Sequence, residues 1–178
     1  MHASCEELDD TPLPPVDTDH DYNVWFILNL LQKASRNDDP AHNLSTALCS
    51  IQLHCEGNKA VVLDKEDRDM LMKAVNLARC TIEMKLGHQC PFREIEEGME
   101  AASAQIFLWA LEPDERAKYS SAYRLRAKRN IRTLRNAMHN IDNRLQNEKA
   151  DREAQKARDT EVIQQTMASL RRLGINLG

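Results

Sequence analysis

The chain has 178 residues, of which 42% are apolar and 29% charged, and a formal net charge of −4. That length holds one domain and little more, and five glycines and six prolines leave too few turns for a sandwich, barrel or solenoid of short strands. No apolar run approaches the roughly 18 residues of a membrane-spanning helix.

Residues 1–21 contain seven acidic side chains (Glu6, Glu7, Asp9, Asp10, Asp17, Asp19 and Asp21), no lysine or arginine, and Pro12, Pro14 and Pro15. Such a segment buries too little surface to order itself, so a disordered acidic tail is expected. It reads as a solubilising leader or as an arm that docks on a basic surface. Its acidic start is unlike a secretory signal. The five cysteines (Cys5, Cys49, Cys55, Cys80 and Cys90) form no regular framework. A reduced, intracellular chain follows, with the nucleus as one setting, and Cys49 and Cys80 are read as small apolar residues on helix faces.

Residues 22–146 read as a helical bundle. The apolar run Tyr22, Val24, Trp25, Phe26, Ile27, Leu28, Leu30, Leu31 and Ala34 is too long for a strand and predicts a buried helix capped by Asp19 or Asp21. A second helix opens with Asp39 as cap and Pro40 at its first position, and Gly57 closes it; Leu44, Ala47, Leu48, Ile51 and Cys55 form its face. A third starts at Asp64, carries Met70, Leu71, Val75, Ala78, Ile82 and Leu86, and ends at Gly87. Pro91 opens a fourth with Phe92, Ile95, Met99, Ala102, Ile106 and Trp109 inward. Gly98 within it costs about 1 kcal/mol against alanine and marks a candidate close crossing.

Glu112-Pro113-Asp114 caps a fifth helix, and residues 114–173 contain neither glycine nor proline. Unbroken, that stretch is a helix of about 90 Å. Ala127, Ile131, Leu134, Met138, Ile141 and Leu145 recur at alternating spacings of four and three, a heptad seam suited to self-association as a homodimer. The seam fails at Glu148, Arg152 and Gln155 and partly resumes at Ile163, Met167, Leu170 and Leu173. Residues 147–178 are therefore read as a charged C-terminal helical extension. Its part 147–161 is either a solvated helix held by i,i+4 pairs or a flexible joint.

The charge is concentrated in residues 116–135. They hold Arg116, Lys118, Arg124, Arg126, Lys128, Arg129, Arg132 and Arg135 and no acidic residue. On a helix Arg124, Lys128, Arg132 and Arg135 share a face, Arg126 and Arg129 lie to the sides, and Tyr123, Ala127, Ile131 and Leu134 face the core. Mutual repulsion of such a cluster favours a negative partner: nucleic-acid phosphate, an acidic protein surface or the chain's own acidic tail, residues 1–21. A simple solvated face is the competing reading.

The same stretch, Tyr123-Arg124-Leu125-Arg126-Ala127-Lys128-Arg129-Asn130-Ile131-Arg132-Thr133-Leu134-Arg135-Asn136 with Asn140 and Leu145, resembles the central domain of transcription elongation factor TFIIS. Phe92-Arg93-Glu94-Ile95-Glu96-Glu97 and Arg79-Cys80-Thr81-Ile82-Glu83 are similar to segments that precede the basic helix in that family. The likeness covers residues 78–145 and implies a three-helix module whose basic helix docks on RNA polymerase II. The family's Asn-Pro break is here Met138-His139-Asn140-Ile141, and no zinc-ribbon pattern accompanies the likeness, so transcript cleavage is not implied.

No phosphate-binding glycine loop or nucleophile elbow is present. Cys80, His88 and Cys90, with Cys55 or His54, lack the short ligand pairs of a zinc site. Glu94, Glu96, Glu97 and Glu100 have the look of a wet helix face. The reading is an all-α, non-enzymatic binding module without cofactor, metal or membrane contact. Its alternative is a helical adaptor or structural protein, cellular or viral, that self-associates through the seam at residues 127–145.

Overall fold

The computed structural model describes residues 19–57 and 62–176. The expected tail lies outside these residues, except that the first helix starts at Asp19. Six helices follow: α1 (Asp19–Ser35), α2 (Pro40–Gly57), α3 (Lys65–Leu86), α4 (Phe92–Trp109), the short α5 (Pro113–Arg116) and α6 (Ser121–Arg172). No strand occurs among the described residues, and none of these helices is long and apolar enough to cross a membrane. The chain divides at His139/Asn140 into two units, ahead of the expected boundary at 146/147.

In the first unit α1 packs on α2 and α3, and α4 packs on α2 and α3. The caps explain the boundaries. Asn37 adopts φ +60°, and the Asn37 and Asp38 amides donate to the Ala34 and Lys33 carbonyls, so asparagine closes α1 where glycine is the usual choice. The Asp39 carbonyl accepts from the Asn43 amide at 3.0 Å, as the residue before a Pro-first helix should. Asp64 caps α3 by accepting from the Asp67 amide at 2.8 Å. The Thr81 hydroxyl donates to the Ser35 carbonyl at 2.7 Å and fastens α3 to the end of α1.

The core is aliphatic: Ile27, Leu31, Leu44, Leu48, Ile51, Leu71, Ile82, Ile95, Met99 and Ile106, with Trp109 the one fully buried aromatic among the described residues. Several expected core residues are outside it. Met70 and Phe92 are 40% and 57% exposed because each sits in the first turns of its helix, off the packed stripe. On their helix faces Cys80 is exposed and Cys49 half-buried. Gly98 does mark a close crossing: a methyl built on it lands on the Leu134 side chain of α6.

The stretch from residue 114, whose continuity the sequence pattern leaves open, forms two helices. α5 lasts one turn, and Ala117, Lys118 and Tyr119 form a turn before Ser120 starts α6. The Ser120 hydroxyl accepts from the Tyr123 amide at 3.1 Å, and its carbonyl accepts from the Arg124 amide at 3.2 Å. A serine cap therefore replaces the glycine or proline break that residues 114–173 lack.

The second unit is helical through Asn147 to Arg172 without the flexible joint offered as one alternative. Arg144–Glu148 (4.0 Å) and Gln155–Asp159 (2.8 Å) are i,i+4 pairs of the kind that support a solvated helix. Gly174, at φ +79°, ends it; the Ile175 amide donates to the Leu170 carbonyl and the Gly174 amide to the Arg171 carbonyl.

Candidate nucleic-acid interface

Arg116 sets where the basic helix begins. It is only 9% exposed, and its guanidinium donates to the Leu111 carbonyl at 2.8 Å and the Trp109 carbonyl at 3.0 Å. The Trp109 carbonyl ends α4 and the Leu111 carbonyl lies just past it, so neither has a partner within the helix, and a cation there also meets the negative end of the helix dipole. The Trp109 carbonyl accepts a second bond, from the Leu63 amide at 3.2 Å. Arg116 thus ties the α4–α6 connection to the bundle. It belongs to the scaffold, away from the partner face expected for it.

Beyond this anchor the first turn of α6 is exposed on every side, from Ser121 through Arg126. From Ala127 onward the helix lies on the bundle, with Ala127, Ile131, Leu134 and Met138 buried. Leu134 seats on Gly98 of α4. The Arg135 carbonyl accepts from the Ser45 hydroxyl at 3.4 Å, and its guanidinium donates to Gln52 Oε1 of α2 at 2.9 Å.

This geometry sorts the eight basic residues. Arg116 and Arg135 are spent on the scaffold, and Lys128 is half-buried and already engaged. Lys118, Arg124, Arg126, Arg129 and Arg132 are exposed, and among the described residues none forms an ion pair. The expected shared face of Arg124, Lys128, Arg132 and Arg135 is therefore divided. Lys128 and Arg135 flank the buried stripe, Arg129 and Arg132 point away from it, and Arg124 and Arg126 are exposed because they precede it. Neighbours on a helix are 5–6 Å apart, inside the Debye length of about 8 Å at physiological salt. Their repulsion is not screened, and each like-charge pair costs a few tenths of a kcal/mol.

The aromatic residues of this region form a row that the sequence pattern placed differently. Phe107 meets Tyr119 edge-on at 5.8 Å, and Tyr119 meets Tyr123 at 5.7 Å with the rings 35° apart. Tyr123 is 42% exposed, where a core-facing position was expected. The cause is that the bundle ends short of the first turn of α6. Leu111, Glu115, Lys118 and Tyr119 line a shallow cleft of about 280 Å³ beside the row.

The seam expected to serve self-association is largely occupied within the chain. Ala127, Ile131, Leu134 and Met138 are part of the first unit's core. Of the seam residues in the second unit, Ile141 is buried and Leu145 half-buried. A second copy would have to displace the contacts that Leu134 and Arg135 make with α4 and α2 to use the part of the seam in the first unit.

The described residues hold no group of three or more His, Cys, Asp or Glu side chains placed to share a metal ion. Cys90 is buried and donates to Glu94 Oε2 at 3.8 Å. Burial first, then the Glu94 charge and hydrogen bond, push its thiol up to about 11. His54 stacks on Trp109 at 5.7 Å, with His20 edge-on to the same ring at 5.8 Å. Burial and then the nearby His20 hold the His54 imidazole below its ordinary range.

No family model, curated protein or solved structure matches this chain.

Proposed function

We propose that the chain is a non-enzymatic binding module whose basic α6 segment contacts nucleic acid. One observation carries the reading: Lys118, Arg124, Arg126, Arg129 and Arg132 are exposed together with no ion pair among the described residues, on a chain with 28 acidic side chains. Elsewhere on the same helix, past residue 140, carboxylates alternate with the cations (Glu148, Asp151, Glu153, Asp159 and Glu161), and Arg144 pairs with Glu148 one turn on. A solvated face built for solubility mixes the two signs in this way, whereas residues 116–135 hold no carboxylate. A row of cations held apart from carboxylates suits a ligand that brings its own charge, and phosphate does so at every nucleotide.

The resemblance of residues 78–145 to the TFIIS central domain supports a setting in transcription. It makes the acidic surface of RNA polymerase the competing partner. A pull-down with and without nuclease separates the two.

The direct test is a fluorescence-anisotropy titration with labelled RNA and DNA across roughly 50–200 mM salt. Five phosphate contacts predict a log–log salt slope of about −3.5 for single strands and about −4.5 for duplex. Replacing Arg124, Arg126, Arg129 and Arg132 with alanine brings the slope to about −1 or less. No detectable binding at the lowest salt overturns the nucleic-acid reading.

A further inference from the structure

We infer that the ligand of this face is a single strand, whose unstacked bases lie against the Tyr123 ring and beside the Tyr119 cleft; this rests on the nucleic-acid reading above. The cations alone do not distinguish duplex from single strand, since both present phosphates. The aromatic row does. Tyr123 has an exposed ring within the first turn of α6, and Arg124 and Arg126 on that turn are free to meet the backbone of a strand whose base covers it. Leu125, 64% exposed, adds apolar surface at the same place. A duplex hides its base faces in the stack and leaves such a surface uncovered. An extruded or single-stranded base covers it, and stacking on an aromatic side chain is how sequence-tolerant single-strand binders hold their bases.

The ring is also held in position. Tyr119 backs Tyr123 at 5.7 Å and is itself fixed edge-on by Phe107 at 5.8 Å, so less rotational freedom is lost on stacking. The cleft of about 280 Å³ next to it is below the size of drug-sized pockets, which start near 300 Å³, and suits one flat ring. Its walls are chemically distinct: Leu111 and Tyr119 offer apolar and aromatic surface, Lys118 a cation for phosphate, and Glu115 carboxylate oxygens that accept from the amino edge of a base. Two base positions, one on Tyr123 and one in the cleft, are thereby set along one strand.

The experiment compares labelled single-stranded RNA, single-stranded DNA and a duplex of the same length, using the full chain, Tyr123→Ala, Tyr123→Phe and the four-arginine variant above. The single strands are expected to bind at least ten-fold tighter than the duplex. Tyr123→Ala weakens single-strand binding about 5- to 100-fold and leaves the salt slope unchanged, because it removes stacking and no phosphate contact. Tyr123→Phe retains the affinity, since the ring face is kept. RNA binding tighter than DNA would identify ribose contacts in addition, and equal affinity would identify stacking and phosphate alone; either supports the single-strand assignment. Duplex binding as tight as single-strand binding overturns the inference. So does an unchanged Tyr123→Ala when the four-arginine variant has lost binding, and in that case the basic-face reading survives alone. If neither form binds at the lowest salt, both readings fall.

Discussion

The crossing of α4 and α6 at Gly98 permits a test of sign. In an open helix, Gly→Ala gains about 0.8–1 kcal/mol from backbone entropy. At position 98 the added methyl falls on the Cβ, Cγ and Cδ2 atoms of Leu134. The Cβ is fixed to the backbone of α6 and cannot swing aside, so the two helices must part. Overpacking of this kind costs about 1–3 kcal/mol, which leaves a net loss of up to about 2 kcal/mol after the helix-propensity gain. For a chain of this size a loss of about 2 kcal/mol lowers Tm by roughly 4–8 °C. The near-UV signal of the buried Trp109 is the right probe, because far-UV ellipticity is weighted by the helix of the second unit. A double-mutant cycle tightens the argument. Leu134→Ala alone costs about 2–5 kcal/mol, but in the Gly98→Ala background the new methyl fills part of the space left behind. The double variant should then be more stable than the sum of the single losses by more than about 0.5 kcal/mol. A rise in Tm for Gly98→Ala, or strict additivity in the cycle, would refute the close-crossing explanation.

Four further outcomes are expected. Arg116→Met strips two donors from the Trp109 and Leu111 carbonyls and lowers unfolding stability by about 2–3 kcal/mol in a urea titration, whereas Arg129→Met stays within about 0.5 kcal/mol. His54 has a folded pKa below its ordinary 6.5, so the unfolded chain binds the proton first; stability falls as pH drops through 6.5 and levels off below the folded value, and His54→Gln removes this step from a pH series of melting curves. Burial and then Asp64 raise the Asp67 carboxyl above its ordinary 3.8, so its penalty is present at neutral pH and is relieved as pH falls through the folded value; Asp67→Asn should remove that separate acid limb from the same pH series. Alkylation followed by mass spectrometry should find exposed Cys80 modified at pH 8 about 100-fold faster than Cys90, whose thiol is pushed up to about 11.

The helices were legible because their signals are local. Asp39-Pro40, Asp64 with Asp67, Pro91 and Gly87 each act through the backbone within a turn of themselves, and the boundaries fall beside them. The break between α5 and α6 was less visible, since Ser120 caps with a single hydroxyl in a run that otherwise favours helix. The heptad seam supports two expectations, an addition to the core and a self-association surface, and its residues Ala127, Ile131, Leu134 and Met138 are buried in the first unit. Periodicity reports that a face is apolar and carries no information on whether the chain's own α2 and α4 or a second copy covers it. Gly98, distant from Leu134 in the sequence and against it in the fold, held part of that answer.

The basic cluster shows the same limit from the other side. Composition counts eight cations between residues 116 and 135, and a helical wheel assigns them to faces around one axis. Neither can know that the bundle covers this axis only from Ala127 onward. That offset turns Tyr123 outward, although the wheel places it next to the core stripe, and it leaves Arg124 exposed on a side that further along the helix is buried. Arg116, before the axis starts, is instead drawn to the α4 carbonyls. The exposure of Arg124, Arg126 and the Tyr123 ring is therefore a consequence of one structural fact, the overhang of the start of α6. Extending the packing by one turn, with Arg124→Leu and Tyr123→Leu, should make that turn more protected in amide exchange while single-strand affinity falls. If affinity persists with both residues replaced, the overhang is not where the ligand sits.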